Sequence, residues 1–282
     1  MSYSEYLRIG FIQTVVEGDV AWRKLPNGKF EKRMSRTSEI NVIEEIKKGF
    51  VEFSSYSDYP NIIILPELSV PLGFEYELRR LCAASGAVVI AGLDFVWNKG
   101  KAANKAIVCV PKNWPSKGKS YSTSFFYFGK TYFSRYEEEM YPGSLESEPA
   151  MYILDAGDFG KIGVAICSDF FDIERYVVYK GRIHHMLIIA HNPDTESYYF
   201  LTEAISRLVF CNVVICNTGE YGDSIAFSPK RKAYERTLYR HKGKGLFSTQ
   251  MVKLPVASLD SEQQPTAKSK LFKSKPPGYK KK

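Results

Sequence analysis

The sequence predicts an α/β fold, and three observations carry that prediction. Short apolar runs rich in β-branched residues recur along the chain, stretches of helical length separate them, and several runs stop on a chemically reactive side chain. The runs at 7–14, 61–65, 87–93, 106–110, 161–166, 186–190, 213–216, 225–227 and 246–254 have strand length, and several are apolar at consecutive positions, as strands covered on both faces require. Between the first two lies 37–53, where Ile40, Ile43, Ile46 and Phe50 recur at near-helical spacing. The segment 74–85 follows Gly73 and stops at Gly86, a residue suited to a left-handed C-cap. Segments 172–180 and 197–210 are the remaining helix candidates. Strands alternating with helices define the α/β class. No internal repeat and no Pro/Gly/Ser-rich linker divides the chain, so 1–255 reads as one domain and 256–282 as a lysine-rich, disordered tail.

Composition narrows the function classes. The 282 residues are 44% hydrophobic, enough for a substantial core. No run approaches the roughly 20 apolar residues of a membrane helix, and the opening MSYSEYLRIG lacks the basic flank and apolar stretch of a signal peptide. Five cysteines (Cys82, Cys109, Cys167, Cys211 and Cys216) are odd in number, widely spaced and free of any CxxC pair. That pattern fits neither a disulfide framework nor a zinc site and points to the reducing cytoplasm. The four histidines form no ligand set, so neither metal nor organic cofactor is expected. The net charge of +8 is uneven: from 261 to 282 there are seven lysines and one glutamate, which leaves the body almost neutral. The tail is therefore the part suited to nucleic acid or to an acidic partner.

Three strand ends carry chemistry. In IIILPELSV four apolar residues lead through Pro66 to Glu67, a carboxyl that a hydrophobic pocket would turn into a general base. In FFYFGKTYFSRYEEEM, Lys130 sits among aromatics, placed either to snorkel to solvent or to face developing negative charge. Three glutamates follow, Glu137, Glu138 and Glu139, of which one at most points inward. In IGVAICSD the strand 161–166 stops at Cys167, and the residues from Asp169 to Asp172 look like the start of a helix. A helix N-terminus there would lower the thiol's pKa and offer the Ser168 N–H to an oxyanion. Together these are a base, a cation and a nucleophile, each where ligand sites gather in an open α/β sheet.

With these residues in view, the chain resembles the nitrilase, or carbon–nitrogen hydrolase, superfamily. LPEL is similar to that family's first motif, the aromatic-flanked Lys130 to its second, and GVAICSD to its third, of the form G-x-x-I-C-x-D. IGFIQ, ANKAIVCVP, KGRIHHMLIIAHN and NTGEYGDSIAFSP resemble further family segments in the same order. The resemblance covers about residues 7–254. It departs from the pattern at Tyr132, where a histidine is usual, at Phe171, where an arginine is common, and at the late helix, reduced to Arg207 and its neighbours.

The resemblance implies an α-β-β-α sandwich that pairs into a homodimer or larger homo-oligomer. It implies a Glu67–Lys130–Cys167 triad, with Glu67 as base, Lys130 as oxyanion stabiliser and Cys167 as nucleophile. Glu138 is then the second acid, with Glu137 as the alternative, and Glu174 matches a frequent downstream acid. Ser168 through its N–H, Tyr132 and Asn192 would face the substrate. The activity implied is hydrolysis of non-peptide C–N bonds in a small amide or, second, a nitrile, through a thioester. Acyl transfer to an amine, and a non-catalytic or partner-dependent module of a multi-component system, are the alternatives.

Overall fold

The computed structural model describes residues 2–115, 118–267 and 270–282. Along the chain run β1 (Tyr6–Gln13), α1 (Gly18–Ala21), α2 (Arg36–Ser54), β2 (Ile62–Ile64), α3 (Glu75–Ser85), β3 (Val88–Gly92), β4 (Val96–Asn98), β5 (Lys101–Ala103), β6 (Lys105–Pro111) and β7 (Thr123–Gly129). There follow α4 (Arg135–Met140), β8 (Ile153–Asp155), β9 (Lys161–Ile166), α5 (Ile173–Tyr179), β10 (His185–Ala190), α6 (Thr195–Ile205), β11 (Asn212–Asn217), β12 (Ser224–Phe227), β13 (Thr237–His241), β14 (Ser248–Pro255) and α7 (Ala257–Gln263). Each of the nine runs read as strands is a strand. The sequence reading missed β4, β5, β7, β8 and β13, which lack a continuous apolar core signal; in β7, Phe125, Phe126 and Tyr127 are all partly exposed.

Two six-stranded sheets form, ordered β14-β1-β2-β3-β6-β7 and β13-β12-β11-β10-β9-β8. Each is built on three parallel strands, β1, β2 and β3 in the first sheet and β9, β10 and β11 in the second, with antiparallel strands outside. Strand side chains alternate between faces, and the buried clusters follow that rule. Leu7, Ile9 and Phe11 of β1 join Ile162, Val164 and the β10–β11 residues in a core shared by both sheets. Ile12, Ile63 and Val89 turn the other way, under α2 and α3. On the second sheet, α5 and α6 contribute Tyr179, Tyr198 and Ile205 to the shared core. The layering is the α-β-β-α order expected.

The helix phase differs from the simplest reading of 37–53. α2 buries Val42, Ile46, Gly49, Phe50 and Phe53, while Ile40 is exposed. Gly49 decides that phase: a Cβ there would lie 2.8 Å from Ile12, so the helix rests directly on β1. The segment 256–282 also differs from the disordered tail its composition suggests. α7 follows β14 at once, and Leu259 and Phe272 form a small cluster with Phe210, against which Tyr279 packs. Lys281 pairs with Asp260, and the Lys282 N–H donates to the Gly181 carbonyl at 2.7 Å. Apolar anchors, Asp260, the Gln263 amide bonded to the Ile183 and Phe210 carbonyls, and a bridge between Lys230 and Phe272 hold the described part of this segment on the body.

Candidate active site

Glu67 follows β2, Lys130 follows β7, Cys167 follows β9 and His191 follows β10. All four strand ends meet on one cavity of about 40 Å³, lined by Glu67, Lys130, Glu137, Cys167 and His191 with Trp22, Phe95 and Met140 as apolar walls.

The first sheet supplies a closed polar net. The Lys130 Nζ donates to Glu67 Oε1 at 2.7 Å and to Glu137 Oε2 at 2.6 Å, with all three side chains buried. Asn104, between β5 and β6, donates from Nδ2 to Glu67 Oε1 and to Glu137 Oε1, both at 2.7 Å. The other oxygen of Glu67 accepts the His191 backbone N–H at 2.8 Å. Charge-assisted bonds this short fix both carboxylates and the ammonium in place. Burial alone would push Lys130 down, but Glu137 and Glu67 outweigh it and hold the ammonium well above its ordinary value. Burial likewise works to raise Glu137, and Lys130 reverses it, leaving that carboxyl below its ordinary value. Backbone packing adds precision. Gly92 passes so close behind the loop that a Cβ would lie 2.4 Å from the Glu67 Cα, so only glycine fits.

The second sheet supplies a cysteine on a strained turn. Cys167 has φ +46, in the left-handed region that non-glycine residues adopt at a cost of about 1–3 kcal/mol. It opens a 3₁₀ turn, Cys167–Phe171, and α5 begins only at Ile173. Asp169 clamps this turn to the lysine loop: its carboxyl accepts the N–H groups of Thr131, at 3.1 Å, and Tyr132, at 2.9 Å. A buried guanidinium sits against the turn as well, but from Arg175 on α5, 3.5 Å from Asp169, where Phe171 had seemed to leave the turn without one. The turn does not lower the thiol's pKa as a helix N-terminus would. Burial, seconded by the Glu67 charge, pushes Cys167 up to about 12, with Lys130 and the Tyr198 hydroxyl pulling the other way. The resting sulfur is a thiol that needs a base.

Glu67, Lys130 and Cys167 therefore meet as the sequence suggests. Of the two glutamates expected as a second acid, Glu137 lines the cavity and bonds Lys130, while Glu138 is exposed on α4 and outside the cavity. The reason is the helix start. Ser134 caps α4 and forms a capping box with Glu137, whose carboxylate also accepts the Ser134 N–H at 2.8 Å, turning that side chain inward. The Tyr132 side chain is 51% exposed and only its backbone serves the site. Glu174 is exposed on α5. Asn192 does not line the cavity; its Oδ1 accepts the Asp194 N–H at 2.7 Å. The Ser168 hydroxyl donates to the Tyr132 carbonyl, and its backbone lies next to the nucleophile. Residues beyond the sequence reading are His191, whose Nε2 pairs with Glu220 at 3.0 Å, and Tyr198, whose hydroxyl lies 3.5 Å from the Cys167 sulfur.

A buried carboxylate, ammonium and thiol thus meet at the strand ends of two stacked sheets, and the fold that brings them together is shared with solved structures of the CN-hydrolase superfamily. The chain is similar in structure to XC1258 from Xanthomonas campestris, a CN-hydrolase superfamily protein with an arsenic adduct in its active site, at 12% identity and a TM-score of 0.65 over 92% of this chain and 94% of that one. It is also similar to the NitN amidase from Nesterenkonia sp. AN1, at 13% identity and a TM-score of 0.63 over 90% and 95% of the two chains. A mutant of the amidase from Nesterenkonia sp. AN1 in complex with butyramide gives 13% identity and a TM-score of 0.63 over 91% and 94%. No family model and no curated protein sequence matches the chain. Among the described residues no helix is long and apolar enough to cross a membrane.

Proposed function

We propose that this chain is a cysteine-dependent hydrolase of carbon–nitrogen bonds other than peptide bonds, acting on a small amide. One observation carries the proposal: a single buried lysine bridges two carboxylates, Glu67 and Glu137, on the same cavity that holds Cys167. A structural ion pair would not be placed against a thiol on a strained turn. The likeness in fold to an amidase that binds butyramide, and to one whose active-site cysteine adds the acetamide moiety of fluoroacetamide, supports the choice of substrate class. The small cavity with walls of Trp22, Phe95 and Met140 suits a short apolar acyl group.

Each step then has its residue. The Glu67 carboxylate takes the proton from the Cys167 sulfur as the sulfur–carbon bond forms, and the carbonyl electron pair moves onto oxygen. Lys130, kept charged and aimed by Glu137, stabilises that oxygen together with the Ser168 N–H. Collapse of the intermediate breaks the C–N bond, and the leaving amine takes the proton held by Glu67. Water, deprotonated by Glu67, attacks the thioester; the acid departs and the sulfur regains its proton. Two copies pair through the outer face of α5 and α6, where Ile173, Val177 and Phe200 are exposed; a monomer by light scattering at micromolar concentration would remove that part.

The test is ammonia release from acetamide and butyramide, with peptide mass spectrometry on Cys167. Wild type should release ammonia and carry an acyl adduct on Cys167 during turnover, and Glu67→Gln, lacking the base of both steps, should show neither. Absence of both ammonia and adduct in wild type, with the sulfur also inert to fluoroacetamide, overturns the proposal.

A further inference from the structure

We infer that Tyr198 is a catalytic residue of this site, its phenolic O–H donating a hydrogen bond to the Cys167 sulfur whenever that sulfur carries negative charge. The inference rests on the hydrolase reading above and adds a group to it from the opposite wall, α6.

Three features make the contact more than adjacency. First, the hydroxyl lies 3.5 Å from Sγ, a hydrogen-bonding distance for sulfur, with the tyrosine 2% exposed. Second, the ring is held on two sides, by Phe170 at 5.6 Å and Phe171 at 5.5 Å between centroids, so the hydroxyl cannot swing away. Third, Asn192 sits beside the phenol: its Oδ1 accepts the Asp194 N–H at 2.7 Å, and its side chain acts on the Tyr198 oxygen in the sense of a donor, pulling the phenol's pKa down against burial. A phenol oxygen that accepts from Asn192 has its own single proton to give to the sulfur. Asn192 is in turn fixed by Asn217, whose Oδ1 accepts the Asn192 N–H and whose Nδ2 donates to the Asn192 carbonyl, both at 2.9 Å. Asn217 therefore fixes the Asn192 backbone, Asn192 sits beside the Tyr198 hydroxyl, and that hydroxyl reaches Cys167. Burial, with the thiol beside it, pushes the phenol well above its ordinary value, so it remains a donor throughout.

The site needs such a donor. The Lys130 ammonium already gives hydrogen bonds to two carboxylates, and Glu67 opposes charge on the sulfur. During acylation the S–H proton passes to Glu67 and the sulfur's electron pair forms the S–C bond, with the Tyr198 O–H stabilising the charge as it develops. During deacylation the S–C electrons return to sulfur, and Tyr198 stabilises the leaving thiolate until a proton arrives. Tyr198 keeps its own proton in both steps. Asn192, which the sequence placed against the substrate, is a positioning residue acting through Tyr198.

The experiment follows iodoacetamide alkylation of Cys167 against pH, localised by peptide mass spectrometry, beside the kinetics of amide hydrolysis. Tyr198→Phe keeps the ring and its stacking, so the fold survives. Its alkylation rate at any given pH below the thiol's midpoint should fall about tenfold, the size of a charge-assisted hydrogen bond, and its kcat should fall roughly tenfold or more with KM nearly unchanged. Asn192→Ala should show a smaller shift in the same direction and add nothing in the Tyr198→Phe background. An alkylation profile that superimposes on wild type overturns the inference, even if kcat falls, since packing alone would do that. A shifted profile in a protein that hydrolyses no amide overturns the hydrolase reading and the catalytic role with it. An unshifted profile in an active amidase overturns the Tyr198 inference alone.

Discussion

The two walls of the cavity are held by opposite means. On the first-sheet side, Glu67, Lys130, Glu137 and Asn104 lock one another through short charge-assisted bonds, and removing any member leaves a buried charge without its partner. On the second-sheet side, Cys167 is aimed by its backbone, with a left-handed φ, an Asp169 clamp behind it and a single long O–H···S contact in front. The difference teaches where each kind of order belongs. Groups that stay put during chemistry are held by side-chain bonds; the atom that must form and break a bond is left almost free of them.

The largest effect should come from the sparsely bonded wall. Cys167→Ala should remove turnover entirely while the melting temperature stays within a few degrees, because the sulfur contributes little to packing. A cysteine-free protein that still releases ammonia would end the comparison. On the densely bonded wall, Lys130→Met should cost stability as well as activity, about 3–5 kcal/mol, since two buried carboxylates lose their cation; urea unfolding showing no change would mean that the net is not electrostatic. Next, Glu137→Gln should lower kcat roughly a hundredfold by loosening the lysine, while Glu138→Gln should stay within about twofold. Equal losses would restore Glu138 to the site.

The smallest effect isolates what Lys130 contributes to its neighbours. Glu45 on α2 is partly buried; its carboxyl accepts the Val15 N–H at 2.7 Å and feels Lys48, but burial outweighs both and raises it to about 7. A carboxyl raised on folding stabilises the fold below its ordinary pKa near 4.5, and that contribution is lost as pH climbs through 7. The wild-type melting temperature should therefore decline from pH 5 to pH 8, and Glu45→Gln should flatten the decline. An identical slope in both proteins would show that Glu45 is solvated.

Much of this arrangement was legible in the sequence. Apolar runs located the central strands because those strands are covered on both faces, and the side chains at two of their ends announced Glu67 and Cys167, while Lys130 stood out by its aromatic flanks after a strand, β7, that no apolar run marked. Spacing from the lysine favoured Glu138, with Glu137 as the alternative, and it is Glu137 that faces the cavity. The capping signal Ser134-x-x-Glu137 was present and would have turned Glu137 inward. Tyr198 had no such signal, since a tyrosine on an amphipathic helix looks like ordinary core. The thiol's raised pKa was hidden too: it follows from how deeply the turn is buried, which only the packing of two sheets determines.

The pairing of β1 with β14 sets a schedule for the living cell. Tyr6 meets Pro255 in register, so the first strand of the chain lies beside the last strand of the two sheets. During synthesis the β14 edge of β1 stays unpaired until residue 255 has emerged. Contacts so distant along the chain make for slow folding. An open strand edge is a template for aggregation, and here the covering strand is made about 240 residues after the one it covers.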